Sequence, residues 1–179
     1  MSATLRYCVL ALGFAGLLCA LAVLYLRASA SGEVPQVRFT ADNVGPRQIE
    51  DLTSEHIPRD YALAWQSMEQ ALEENRPDLL DAYFTGFAKD DLTRRVKSQI
   101  GAGMHVRYQD RGHHLEGIFY APAGDAMELR DRAQFDVQVY DGGKVVYDQP
   151  LQAQYIVLMT PGADRWLVRK LQAVSGEKP

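Results

Sequence analysis

The residues able to do chemistry in this sequence are few and scattered. One acid stands out. Asp131 occupies the apolar register of an alternating stretch, between Leu129 and Ala133. A carboxylate in an apolar setting, faced by a tyrosine or a protonated acid, is the arrangement that abstracts protons beside a developing oxyanion. Tyr61, Tyr83 and Tyr155 are the tyrosines that would face it. The simpler expectation is an acid at a pocket mouth or edge strand, paired with Arg107 or Arg130. No matched acid–base pair accompanies Asp131, so catalysis is not expected.

The other chemistry-bearing residues lead to bland readings. The four histidines are His56, His105, His113 and His114. Adjacent strand residues face opposite ways, so His113 and His114 do not converge on one ion. A zinc site needs three or four ligands, and these histidines are expected in surface turns. No metal and no cofactor is therefore expected. Arg94, Arg95 and Lys97, extended by Arg107 and Arg111, form a basic cluster offset by Asp90 and Asp91. Glu69, Glu73 and Glu74 read as a solvated helix face. Gly101-Ala102-Gly103 is a helix stop and not a phosphate cradle, and no nucleotide loop, nucleophile elbow or zinc-protease motif occurs.

The elements that would position these residues follow from hydrophobic period. Tyr7 to Leu26 carries no charge and is bracketed by Arg6 and Arg27. At 1.5 Å per residue it crosses about 30 Å of hydrocarbon. It exceeds the roughly 7–15-residue apolar core of a signal peptide. A retained transmembrane anchor over residues 1–27 is therefore expected, although Ala28-Ser29-Ala30 satisfies a small-x-small cleavage pattern. A short N-terminus before a long C-terminal domain points to an exported domain on the cell (inner) membrane. Both cysteines, Cys8 and Cys19, lie within the anchor, so the remainder has neither thiol nor disulfide. The net charge of −4 argues against nucleic acid as a partner.

Residues 28–45 read as a linker, and residues 46–175 as one domain. A short helix is expected from Pro46 to His56, and a new one from Pro58. In the latter Ile57, Tyr61, Ala64, Trp65, Met68, Ala71 and Leu72 recur at helical spacing. Leu79 to Phe84 predicts a short helix broken by Gly86, and Lys89 to Ile100 another, with Leu92, Val96 and Ile100 inward. Strands are expected at His105–Asp110 and His114–Tyr120 about a turn at Arg111-Gly112. Met127 to Val139 alternates strictly, Asp141-Gly142-Gly143 marks a hairpin, and Lys144 to Met159 returns, with Pro150 at an edge or bulge. Arg165 to Ala173 closes the series. Helices followed by an antiparallel meander give an α+β fold.

This order, with the Tyr61-Ala62-Leu63-Ala64-Trp65 helix and the closing Asp164-Arg165-Trp166-Leu167-Val168 hairpin strand, resembles the nuclear transport factor 2-like (NTF2-like) superfamily over Pro46 to Val174. The resemblance implies helices packed in a curved antiparallel sheet, a cone with a concave pocket. Tyr61, Trp65, Met68, Tyr83, Asp131, Phe135 and Tyr155 are its candidate lining. Membrane-anchored subunits of bacterial type IV secretion systems share the layout of anchor plus exported domain. The resemblance thus implies a membrane-tethered, non-catalytic binding or assembly module of the envelope, with a protein partner or a second copy of the chain. The alternative is a small-molecule or enzymatic pocket of the SnoaL and ketosteroid isomerase type. A cone filled by Trp65, Met68, Phe135 and Val157 favours the first. An open cavity with converging tyrosines and an acid favours the second.

Overall fold

Apolar residues at helical spacing form a long helix, α1, at Asp51–Glu73 in the computed structural model, which describes residues 34–42 and 44–174. The uncharged run from Tyr7 to Leu26 lies outside the described residues. No described helix is long and apolar enough to cross a membrane.

Helix α1 buries Ile57, Tyr61, Ala64, Trp65, Met68, Ala71 and Leu72 on one side. It starts well before Pro58, so the two helices expected on either side of that proline are one. A proline inside a helix forfeits one backbone hydrogen bond. Burial of Ile57 and Tyr61 on both sides of it holds the helix together. A 3-10 helix, Pro77–Ala82, buries Leu80. Helix α2 spans Gly86–Gly101 and buries Ala88, Leu92, Val96 and Gln99. Ile100, expected inward, is 47% exposed. The 3.6-residue period carries Gln99 into the inner position instead. There its amide donates to the Leu72 carbonyl and to Asn75 Oδ1.

Six strands among the described residues form one sheet: β1 Val37–Thr40, β2 Gly45–Pro46, β3 Met104–Tyr120, β4 Met127–Asp141, β5 Lys144–Pro161 and β6 Trp166–Val174. The main order is β1-β3-β4-β5-β6, and β2 also pairs with β3. Strands β3 to β6 form an antiparallel meander, whereas β1 and β2 run parallel to β3. Residues 37–40 and Gly45 fall within the segment expected to be a linker. Val37 and Phe39 pack on the core, which draws this stretch into the sheet.

Arg111-Gly112 is not a turn between two strands. It is a bulge inside the single strand β3, where the register shifts between Asp110 and Gly112. Gly112 has φ +135°, a conformation that side chains disfavour. The β4–β5 loop has Gly142 and Gly143 both at positive φ, as a two-residue primed hairpin turn requires. Pro150 lies where β5 has β4 on one side and no second neighbour, since β6 pairs only with Gln154–Pro161 of β5. The inward row of β4, Met127, Leu129, Asp131, Ala133, Phe135 and Val137, is buried. The helices fill the concave side of this curved sheet, the arrangement that the resemblance implies.

Candidate functional site

Deep in the cone, three elements bring together a chain of polar groups. Tyr61 comes from α1, His113 from β3 and Asp131 from β4. The Tyr61 hydroxyl donates to Asp131 Oδ2 over 2.8 Å. His113 Nδ1 lies 2.8 Å from the same oxygen. On its other side, His113 Nε2 is 2.9 Å from Asp110 Oδ1, an ionic contact that falls off the hydrogen-bond line. Trp65 covers the imidazole with ring centroids 4.5 Å apart.

The bulge makes this assembly possible. In an unbroken strand residues 110 and 113 would face opposite sides. The extra residue at the bulge restores both to the inner face.

Burial alone would lower the His113 imidazole, but the neighbouring Asp110 and Asp131 side chains outweigh that and hold it up at about 9. Glu69 is pushed up to about 8, first by burial and then by the charge of Asp110. Burial and the Asp131 carboxylate push the Tyr61 phenol well above its usual range. At neutral pH the cluster therefore holds an imidazolium between two carboxylates, beside a protonated Glu69. Trp65 Nε1, Glu69 Oε1 and Asp131 Oδ1 are buried there without a hydrogen-bond partner among the described residues.

A cavity of about 220 Å³ lies on the other side of Trp65. Trp65, Tyr108, Tyr155 and Met68 form its aromatic and apolar wall, and Leu92 and Arg95 of α2 its opposite side. The Arg95 guanidinium donates to the Tyr108 hydroxyl over 2.5 Å and lies over that ring. Asp91, also at the cavity, is engaged by Arg94. Burial pushes the Tyr155 phenol up to about 12. The volume is below the roughly 300–1,000 Å³ of drug-sized sites, and suits one ring or a short side chain.

The candidate lining residues therefore divide. Trp65, Met68 and Tyr155 line the cavity. Tyr61, Asp131 and Phe135 are buried behind it. Tyr83 lies elsewhere, under the Arg165 guanidinium at 5.1 Å. Asp131 is bonded to neither expected arginine: Arg107 pairs with Glu73 and Arg130 with Glu116. Nor is Glu69 a solvated residue, since its Oε1 is buried.

Two groups escaped the sequence reading. His113 was expected in a surface turn, yet is 4% exposed. Its signal was its two-residue spacing from Leu115, which placed it in the inner row. Asp60 is 1% exposed and accepts the Trp166 backbone N–H at 2.8 Å, so it ties α1 to β6. Its signal was its position between Ile57 and Ala64 on the buried stripe. Among the described residues, no group of three or more His, Cys, Asp or Glu side chains is placed to hold a metal ion.

No known family and no curated relative matches the sequence. Among solved structures, the chain is similar to the intermembrane space region of the chloroplast protein ARC6. The TM-score is 0.62 at 9% identity, over 73% of this chain and 100% of that one. A putative scytalone dehydratase from Novosphingobium aromaticivorans aligns with TM-score 0.44 at 14% identity, over 65% of this chain and 83% of that one. The likeness is one of fold.

Proposed function

We propose that this chain is a non-catalytic binding or assembly module of the cell envelope. Residues 7–26 tether it to the membrane, and its cavity receives an apolar group of a protein partner. One observation carries the reading. Asp131, the acid best placed to act as a base, has 0% exposure and is not among the residues that line the cavity. A general base must come within about 3 Å of the proton that it takes. Trp65, Met68, Phe135 and Val157 are all buried, and the space left beside them is the cavity of about 220 Å³.

The second reading, a small-molecule pocket with acid–base chemistry, has one observation in its favour. Five ionisable groups, Tyr61, Glu69, Asp110, His113 and Asp131, gather within one apolar interior. Perturbed groups of this kind cluster at active sites.

Replacement in the native cell separates the two. Leu171 of β6 also lines the cavity, so Leu171→Trp fills it, and Asp131→Asn removes the base while keeping the shape. The binding reading expects Leu171→Trp to abolish complementation of a deletion and Asp131→Asn to retain it, at matched abundance and melting temperature. Loss of complementation by a folded, normally abundant Asp131→Asn chain would favour the enzymatic reading.

A further inference from the structure

The face of the sheet away from the helices carries a second concavity, whose lining includes Gly112 and His113 at the bulge. It encloses about 540 Å³, and its lining includes Gln36, Arg38, Arg111, His114, Arg132 and Gln134. Strand register puts Arg38 of β1 opposite His114 of β3, and His114 opposite Arg132 of β4. Neighbouring strands lie about 4.8 Å apart. Two guanidinium side chains thus flank one imidazole in a single cross-strand row.

Arg38 and Arg132, two strands apart in that row, carry like charges that repel unless they are paired. The neighbouring cations are compensated: Arg130 lies 3.4 Å from Glu116, and Arg111 lies 2.5 Å from Asp136. Arg38 and Arg132 have no ion pair with any described residue. In a chain of net charge −4, this row is a local excess of positive charge that nothing in the described domain relieves.

The donor set defines the ligand. One arginine fork satisfies a carboxylate's two oxygens. Two arginines, an imidazole and two amides converging on one groove offer more donors than a carboxylate accepts. They match the oxygens of a phosphate group, approached from both sides. We propose that this groove binds a phosphate-bearing ligand, with Arg38 and Arg132 clamping the phosphate from β1 and β4. The inference is independent of what occupies the cone.

The test is calorimetric titration of the full chain in non-ionic detergent micelles. Low ionic strength is needed because an exposed site is screened by salt. The probes are inorganic phosphate and dihexanoyl phosphatidate, a soluble lipid with a phosphate headgroup. The wild-type chain is expected to bind at least one of them. The double variant Arg38→Gln/Arg132→Gln should lose at least about tenfold in affinity, whereas Lys97→Gln, a charge control on α2, should lose none. The double variant should also melt no lower than wild type, since it removes like charges from one row. Phosphatidate binding at least about tenfold tighter than phosphate identifies a lipid headgroup as the source. Equal affinity, or tighter binding of phosphate, identifies a soluble phosphate. Absence of heat from both probes with the wild-type chain, or a loss under tenfold in a folded double variant, overturns the proposal.

Discussion

Raising the pH from 6 to 9 should unfold this domain more readily, and the buried cluster sets both the sign and the window. His113 titrates at about 9 in the folded chain against an ordinary value of 6.5. The folded state therefore holds a proton that the unfolded state has released. Its contribution is fully present below 6.5 and is lost as the pH rises through 9. At 1.36 kcal/mol per unit, the contribution is about 3 kcal/mol. Glu69 acts with the same sign. It is raised from 4.5 to about 8, so between those values the folded state keeps a proton that the unfolded state has released, and stability falls across that interval. Between about 6.5 and 8 the folded state holds two extra protons, which gives a slope near −2.7 kcal/mol per pH unit. Between 8 and 9 only His113 contributes. Urea midpoints at intervals across this range, followed by tryptophan fluorescence, measure the slope. Glu69→Gln should flatten the curve below pH 8 and leave the fall between 8 and 9 intact. A wild-type midpoint that stays level or rises between pH 6.5 and 9 would refute the assignment of an imidazolium to the interior.

Other perturbations have definite outcomes. Trp65 is 2% exposed and packs against His113, Phe135 and Tyr155, so Trp65→Ala should cost about 3–5 kcal/mol and lower the urea midpoint by roughly 2 M. An unchanged midpoint would make Trp65 a ligand platform and not a core residue. Asp60→Ala leaves the Trp166 N–H buried and unbonded, a loss of about 1–3 kcal/mol readable as a lower melting temperature. Gly112→Ala forces a side chain onto φ +135° and should disturb the Asp110–His113 contact. Its mark is a weaker fall in stability between pH 8 and 9, beyond any overall loss. Intact mass of the membrane fraction should show a chain that retains residues 7–26. A soluble chain that begins at Ser31 would show cleavage instead.

The parts of the fold legible in the sequence are those where one period governs a long stretch. The α1 stripe and the β4 alternation are of this kind, because burial on one face repeats the same choice at every turn or every second residue. Asp131 was legible for the same reason: it breaks composition without breaking period. What escaped was long-range or depended on a change of phase. Strand β1 is too short to show a period, and its hydrogen bonds go to β3, far along the chain. Arg111-Gly112 carries a turn signal in sequence, because glycine at positive φ serves a turn and a bulge equally well. Only pairing with an unbroken β4 decides between them, and that pairing is tertiary.

The bulge also links the two faces of the sheet. Before it, Val106, Tyr108 and Asp110 face the cone. After it, His113, Leu115 and Gly117 do. The same change of phase acts on the outer face, where Arg111 and His114 both line the groove. In a regular strand, residues 111 and 114 would point to opposite sides, as would 110 and 113. One extra residue thus does two things. It closes a carboxylate–imidazole–carboxylate contact inside the cone, and it brings Arg111 and His114 to one groove outside it. The inner cluster has its counter-charges within reach. In the outer row Arg111 is paired with Asp136, whereas Arg38 of β1 and Arg132 of β4 have no ion pair among the described residues.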